Sequence, residues 1–324
     1  MAKQDTVLSV VVPVFNEAEG LAHFNDSLLE VLNQLDLEFE VIYCDDGSTD
    51  NTSGLISKWA KTNRKIKLIR LSRNFGKENA LTAGIAAAQG EAILMIDGDG
   101  QHPVELIPRF ISAGRGGAKV VVGMRSDNTH LTWFKNFMSG GFYKVFNRLT
   151  HQKLMSGTTD FRLIDRSVQQ VFLTLTESGR ITRGLIDWLG FEREYITFKA
   201  RPRLHGQPRY SYIKLVKLAA NSLVSLSPKP LYVFGYLGIF ITIGSFLLGT
   251  AVFIEQILLG DPGHWKFTGT AMLGILLLFL VGILLMSQGI LSLYISHIHN
   301  QSKNRPLYVI DYERSVGIRE SDDS

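Results

Sequence analysis

The sequence has a single cysteine, little net charge and neither of the common glycine-rich nucleotide-binding motifs. Cys44 alone cannot form an internal disulfide, so the chain is not a disulfide-stabilised scaffold. The net charge is only +4 over 324 residues, so we expect no nucleic-acid partner. No Gly-x-Gly-x-x-Gly follows the first predicted strand and no Gly-Lys-Ser/Thr occurs, which disfavours dinucleotide and Walker-type sites. Hydrophobic residues make up 45% of the chain, which excludes global disorder.

Charged residues are absent from two long stretches near the end of the chain, residues 230–254 and 268–296. A bilayer core needs about 20 apolar residues as helix. We therefore predict two transmembrane helices, at about 230–254 and 270–296. Two buried core helices are the alternative, but core helices are rarely this long and this uniformly apolar.

Basic residues flank those stretches unevenly. Four Lys and Arg residues lie within 209–229, and Lys303 and Arg305 follow the second stretch, whereas the loop 255–267 between them holds only Lys266. The positive-inside rule then places both termini and residues 1–227 in the cytoplasm and the loop outside. The remaining residues, 297–324, form a predicted cytoplasmic tail that we expect to be mobile from Glu313 onward.

The first part of the chain alternates between apolar β-branched runs and amphipathic segments. We predict strands at 7–12, 38–43, 66–71, 92–96 and 119–122, with helices at 18–35, 51–61, 75–88 and 103–112. This alternation is typical of a mostly parallel sheet with helices on both faces. Ligands of such sheets bind outside the carboxyl ends of the strands.

Three polar clusters follow predicted strands, at residues 13–17 (PVFNE), 45–50 (DDGSTD) and 97–103 (DGDGQHP). Turn chemistry alone explains any one of them, and Asp50 is a good helix N-cap candidate. Asp97 and Asp99, however, present two carboxylates together, and a divalent cation relieves their repulsion. With two other acidic strand ends beside them, we predict a Mg²⁺ or Mn²⁺ site there.

Together with residues 73–78 (RNFGKE), these motifs resemble those of the family 2 glycosyltransferases, which have the GT-A fold, a Rossmann-like mixed, mostly parallel α/β sheet. More narrowly, the chain resembles the polyprenyl-phosphate glycosyltransferases, such as dolichyl-phosphate mannose synthase and the bactoprenol glucosyltransferases, from residue 7 to about 308. It departs from their pattern at Gly100, where Leu is usual, at Pro208-Arg209, where Ser-Lys is common, and at Leu293, where many relatives carry Glu.

The resemblance implies roles for individual residues. Contacts with the donor nucleotide are expected from Pro13, Phe15, Glu17, Asp46, Lys77, Asp97, Arg203 and Arg209. The metal is expected at Asp97, Asp99 and Gln101. The predicted catalytic residues are Asp99, Arg125 and Asp160. Asp160 either positions the acceptor or acts as a weak base, and a turn or a salt bridge to Arg162 or Arg166 is its structural alternative. Basic candidates for holding the acceptor phosphate are Lys135 and Arg162.

The expected reaction transfers a hexose from a nucleotide-diphosphate sugar, with UDP-glucose favoured, to the phosphate of undecaprenyl phosphate, with inversion at the anomeric carbon. The resemblance also implies a bacterial inner (plasma) membrane location and a homo-oligomer, a tetramer in relatives. Basic amphipathic helices near 133–149 and 210–227 are predicted to lie in the lipid headgroup region, with an ordinary core-facing helix as the alternative. Rival functions are a processive polysaccharide synthase, a membrane-anchored nucleotide-binding regulator or scaffold without turnover, and a small transporter subunit.

Overall fold

The computed structural model describes residues 8–126, 157–177, 179–199 and 269–318, together with five isolated positions between 240 and 254. These residues belong to two compact units. The first holds the described residues up to 199 and those from 305 to 318, and the second holds those between 240 and 304. The predicted amphipathic segments near 133–149 and 210–227, and nearly all of the predicted helix at 230–254, lie outside the described residues.

The first unit is built on a seven-stranded sheet. Its strands are β1 (Leu8–Val14), β2 (Phe39–Asp45), β3 (Ile66–Arg70), β4 (Ala92–Met95), β5 (Val120–Arg125), β6 (Thr158–Asp165) and β7 (Arg193–Phe198). Their order across the sheet is β3-β2-β1-β4-β6-β5-β7. Neighbours pair in parallel except at β6, which runs antiparallel to both β4 and β5. The predicted mixed, mostly parallel sheet is thus confirmed.

Helices cover both faces of the sheet. They are α1 (Ala18–Asn33), α2 (Thr52–Thr62), α3 (Lys77–Ala87), α4 (Ile107–Arg115), α5 (Arg166–Leu173) and α6 (Thr182–Trp188), with a 3-10 turn at Val104–Leu106. One core packs α1, α2 and α4 against the sheet, and the other packs α3, α5 and α6. Strand β1 is buried along its whole length, with Val10 and Val12 in the first core and Val11 in the second. Burial on both faces explains its continuous apolar sequence.

Where β5 ends, a hydrogen bond outside the regular strand register joins it to the residue before β6. The backbone N–H of Arg125 donates to the carbonyl of Gly157 at 2.9 Å. The chain therefore leaves the sheet after β5 and re-enters it before β6 at neighbouring points. Gly157 has φ +90°, a conformation that favours glycine.

The second unit contributes one described helix, α7 (Gly269–Ser302), over the predicted apolar helix at 270–296. Counted over the described residues alone, no helix is both long enough and apolar enough to cross a membrane. The two transmembrane helices, the membrane location and the tetramer stay predictions.

The chain beyond α7 belongs again to the first unit. Residues 307–318, here called the C-terminal strap, form two antiparallel bridges at the edge strand β3. Val316 pairs with Leu68 within β3, and Ile310 pairs with Leu71 just after it. Tyr308 and Ile310 pack against the second core, and Val316 packs against the first. The expectation of a mobile tail from Glu313 is therefore wrong as far as residue 318, and residues 319–324 lie outside the described part of the chain.

Candidate active site

Hydrogen bonds tie the loop after β1 to the loop after β2. The Asn16 N–H donates to Ser48 Oγ at 2.9 Å, and the Thr49 N–H donates to Asn16 Oδ1 at 2.8 Å. The Glu17 N–H donates to Thr52 Oγ1 at 2.9 Å. Asn16 holds φ +54°, a left-handed conformation that asparagine tolerates better than most residues. The two predicted nucleotide-binding loops therefore form one hydrogen-bonded unit.

Asp50 stabilises the start of two helices at this edge. Its carboxylate accepts from the Thr52 N–H at 3.0 Å, at the start of α2, and from the Ala18 N–H at 3.2 Å, at the start of α1. The N-cap residue of α2 is Asn51, so the predicted N-cap position of Asp50 is wrong by one residue, although its side chain accepts from the first N–H group of each helix.

Asp46, a predicted nucleotide contact, is buried, with only 3% of its surface exposed. Its two carboxylate oxygens accept from the N–H groups of Phe75, at 2.7 Å, and Gly76, at 2.9 Å. Burial raises the pKa of Asp46, and these two hydrogen bonds oppose that shift. The predicted contact with the base gains no support from this placement, because the carboxylate is directed at the loop that leads into α3.

The other predicted nucleotide contacts occupy the first loop. Pro13 is buried in β1, opposite Cys44 of β2, and Phe15 and Glu17 follow in half-buried positions. A Cβ placed on Gly98 would lie 3.1 Å from Glu17 Oε2. The loop after β4 thus closely approaches the loop after β1, and all three predicted clusters converge on one edge.

The predicted metal segment forms a tight loop beside Arg125. Asp99 Oδ1 accepts from the Gln101 N–H at 3.0 Å, and Gly100 between them has φ +73°, which only glycine adopts without strain. Gln101 Oε1 in turn accepts a hydrogen bond from Arg125 Nη2. The structure therefore brings Asp99, Gln101 and Arg125 together as the sequence predicts.

His102 supports this segment from the buried side of the loop. Its ring is 4% exposed and stacks on Phe161 with centroids 5.3 Å apart. Its Nδ1 accepts from the Asp97 N–H at 3.3 Å. Burial lowers the pKa of His102, so we assign a neutral ring with its proton on Nε2. The only signal in the sequence is its position directly after the acidic segment.

Lys77 joins Asp97, a predicted metal ligand, to Asp160, a predicted catalytic residue. Its Nζ lies 2.6 Å from Asp97 Oδ1 and 2.7 Å from Asp160 Oδ2. Asp160 reaches this edge because β6 is antiparallel, so the beginning of β6 lies beside the end of β4. Burial acts to lower the pKa of Lys77, but the two carboxylates outweigh it and raise that pKa. Burial acts to raise the pKa of Asp160, but Lys77 outweighs it and lowers that pKa.

Comparison with known proteins agrees with this architecture. Residues 9–172, about half of the chain, match the family model described as glycosyl transferase family 2. The chain belongs to glycosyltransferase family 2. It is 39% identical to an uncharacterized glycosyltransferase of Synechocystis sp. over 305 residues, 94% of each chain. It is 34% identical to the bactoprenol glucosyl transferase of Shigella phage SfV over 307 residues, 95% of this chain and 99% of that protein.

Among solved structures, glucosyl-3-phosphoglycerate synthase from Mycobacterium tuberculosis, in complex with Mn²⁺, UDP and glucosyl-3-phosphoglycerate, superposes with a TM-score of 0.49. The two sequences are 17% identical, and the alignment covers 68% of the glycosyltransferase described here and 78% of the mycobacterial chain.

Arg162 of this glycosyltransferase is buried and forms an ion pair with Asp187. Its side chain is 1% exposed, Nη1 lies 2.7 Å from Asp187 Oδ1, and Nε donates to the Thr159 carbonyl at 3.0 Å. Arg193 approaches the same Asp187 oxygen at 3.3 Å. A lipid phosphate would have to displace Asp187, so this placement argues against the predicted acceptor role. Asp160 pairs with neither Arg162 nor Arg166 but with Lys77, and Arg166 donates to the Ala88 carbonyl.

Lys135, Arg203 and Arg209 of the glycosyltransferase lie outside the described residues. Within the described part of the chain, no three His, Cys, Asp or Glu side chains come close enough together to hold a metal ion. Two carboxylates nevertheless suit Mg²⁺ or Mn²⁺, which use few carboxylates and complete their shell with water and substrate phosphate. The Lys77 ammonium on Asp97 is a cation already held at this position, so the donor set fits a metal there.

Proposed function

We propose that this glycosyltransferase moves a hexose from a nucleotide-diphosphate sugar to the phosphate of a polyprenyl phosphate. We take UDP-glucose as the donor, undecaprenyl phosphate as the acceptor and the cytoplasmic face of the bacterial inner membrane as the location. The observation that carries the proposal is the position of Lys77, which joins Asp97 to Asp160. The similarity to a bactoprenol glucosyl transferase along nearly its full length supports the choice of acceptor.

On the donor side, Asp97 and Asp99 are the residues that would hold Mg²⁺ or Mn²⁺, with Gln101 beside them. When bound, such an ion stabilises negative charge on the diphosphate. Arg125 supplies fixed positive charge for the departing nucleoside diphosphate, and its hydrogen bond to Gln101 orients the guanidinium before the donor arrives. Charge-assisted contacts of this kind are about twice as strong as neutral ones.

On the acceptor side, the nucleophile needs little activation. A phosphate monoester has a second pKa of about 6, so the lipid phosphate is largely dianionic at neutral pH. Its oxygen forms a bond to the anomeric carbon while the bond from that carbon to the diphosphate oxygen breaks, and the electron pair leaves with the nucleoside diphosphate. Attack opposite the leaving group inverts the anomeric centre.

Asp160 is ionised and paired, so we assign it a positioning role in preference to that of a base. Its carboxylate holds the Lys77 ammonium at 2.7 Å, and the lowered pKa of Asp160 makes it a poor proton acceptor at neutral pH. An unpaired carboxylate would repel an incoming phosphate, whereas the pair presents a cation at the meeting point of donor and acceptor.

Sugar transfer by the purified, detergent-solubilised protein tests this function. The assay contains undecaprenyl phosphate, Mg²⁺ or Mn²⁺, and labelled UDP-glucose, UDP-N-acetylglucosamine or UDP-galactose in separate reactions. We expect labelled lipid from one donor, no labelled lipid with chelator, and a loss of transfer in Asp99→Asn. The matched control is Asp36→Asn, an exposed carboxylate in the turn before β2, at the opposite edge of the sheet. Nucleotide binding without transfer from any donor would favour the regulator or scaffold instead.

A further inference from the structure

The C-terminal strap pairs with the outer edge of β3, the first strand in the sheet order. Leu68 both donates to the Val316 carbonyl and accepts from the Val316 N–H, each at 2.9 Å. Beyond the end of the strand, the Ser72 N–H donates to the Val309 carbonyl at 2.9 Å. An uncovered edge strand exposes unpaired N–H and C=O groups. The strap therefore pairs with N–H and C=O groups of this edge through main-chain hydrogen bonds.

Between Leu68 and Ser72, the strap forms hydrogen bonds with both the N–H and the carbonyl of Arg70. The Arg70 N–H donates to Ser315 Oγ at 3.0 Å, and the Arg70 carbonyl accepts from the Asp311 N–H at 2.8 Å. Ser315 is itself fixed, because its hydroxyl donates to the Asp311 carbonyl at 2.7 Å. The position of Arg70 is thus set by the strap through the backbone.

The side chain of Arg70 extends away from the strap to the loop after β2 and to the first turn of α2. Its Nη1 donates to Ser53 Oγ at 3.1 Å, and its Nη2 donates to the Ser48 carbonyl at 3.3 Å. Its Nε lies 3.7 Å from the buried Asp45 carboxylate. Arg70 therefore connects the strap to the loop whose Ser48 hydroxyl accepts from the Asn16 N–H.

We propose that the docked strap positions the donor-nucleotide loops through Arg70, so that strap docking and nucleotide binding favour each other. Arg70 and Ser315 are positioning residues in this scheme. The coupling runs from strap to Arg70 main chain, from Arg70 guanidinium to Ser48, and from Ser48 to Asn16. Only the identity of the bound ligand as a nucleotide rests on the proposed function.

Hydrogen–deuterium exchange on the full-length protein in detergent separates the two halves of this path. Val316→Pro removes a donor to Leu68 and should release the strap. Arg70→Met removes the guanidinium but leaves the main-chain bonds to the strap. Arg70→Lys, which keeps a cation near Asp45, serves if Arg70→Met does not fold. Lys67→Met is the matched control, because Lys67 lies on the same strand and pairs with Glu40 instead.

We expect Val316→Pro to speed exchange about fivefold or more both in the strap and in the loop amides of Asn16, Ser48 and Thr49. Arg70→Met should speed exchange in the loops alone, and the double variant should match Arg70→Met there, because the path is already broken. Fast exchange in the strap of Val316→Pro with unchanged loops would overturn the proposal, and so would additive loop effects in the double variant.

The reverse direction is tested with UDP and Mn²⁺ on the wild-type protein. Because coupling between two sites is reciprocal, UDP that protects the loop amides should also slow exchange in the strap. Protection of the loops without any change in the strap would contradict the coupling. If UDP protects neither region, UDP fails as the product nucleotide of the proposed reaction, and the variant comparison still decides the coupling.

Discussion

Replacing Lys77 with methionine tests whether its ammonium stands where a divalent cation is expected to bind. In the described structure the ammonium touches Asp97 at 2.6 Å and Asp160 at 2.7 Å. A metal that binds Asp97 has to displace it. Methionine keeps most of the aliphatic stem and removes the charge. We therefore expect Mn²⁺ to bind Lys77→Met more tightly than wild type when no nucleotide is present.

The size of the effect follows from the exposure of the three groups. The side chain of Lys77 is 44% exposed, and those of Asp97 and Asp160 are 24% and 19% exposed, so solvent screens both pairs. Screened pairs of this kind contribute about 0.2–1 kcal/mol each, and the partial burial of the carboxylates favours the upper half of that range. The metal competes only for Asp97, so one pair of about 0.5–1 kcal/mol sets the size of the effect. The Mn²⁺ dissociation constant should fall about 2- to 5-fold, since about 1.4 kcal/mol is tenfold.

The assay is a titration of the nucleotide-free protein with Mn²⁺, in which the electron paramagnetic resonance signal reports free ion. Lys61→Met is the control, because it removes a lysine from the last turn of α2, away from the site. Sugar transfer should fall in Lys77→Met even as metal affinity rises, because the cation at the donor–acceptor junction is lost. An unchanged or weaker Mn²⁺ affinity would refute the reasoning, since the ammonium would then not compete with the metal.

Three further predictions concern stability. Arg162→Met breaks a buried ion pair and should lower the free energy of unfolding by about 3 kcal/mol in a urea titration, with the KM for the acceptor unchanged; a raised KM would restore the acceptor role. In Gly84→Ala the new Cβ would collide with Val11 Cγ1 and lie 2.5 Å from Cys44 Sγ, which should lower the free energy of unfolding by about 1–3 kcal/mol, and Cys44→Ala should recover part of this loss in thermal melts. Because Lys77 lowers the folded-state pKa of Asp160, the stability from this pair is present above the ordinary aspartate pKa of about 4 and is lost as pH falls through the lowered value. Acidification should therefore lower the Tm of wild type more than that of Lys77→Met, and equal losses would contradict the pairing.

The first half of the fold could be predicted from the sequence because short-range patterns specify it. Apolar runs and helical spacing predict β1 to β5 and α1 to α4 near their observed positions. Strand β6 was not predicted as a strand, and its place between β4 and β5 depends on antiparallel pairing with residues far away in the chain. Local patterns carry no information about such pairing.

Part of the candidate site could likewise be predicted from the sequence, and part of it could not. Strand-end positions predict that Asp99, Gln101 and Arg125 converge, and they do. Residue type alone does not say where a side chain points. Asp46 accepts from N–H groups 29 and 30 residues later in the chain, and Arg162 pairs with an aspartate 25 residues later. Both partners are set by tertiary packing.

The part of the strap from Glu313 onward was misjudged for a related reason. Residues 313–324 have the polar composition of an unpacked tail, but Val316 is anchored by main-chain hydrogen bonds to Leu68 of β3. Main-chain groups are present in every sequence, so composition does not reveal whether an edge strand will engage them.

The hydrogen bond between Arg125 and Gly157 has a consequence for how this enzyme class can diversify. It holds Arg125 and Gly157 close together, and the residues between them include the predicted acceptor residue Lys135. On the prediction that Lys135 holds the acceptor phosphate, exchanging the residues between Arg125 and Gly157 is expected to alter acceptor choice, while the seven-stranded sheet and the carboxylates of the donor site stay in place.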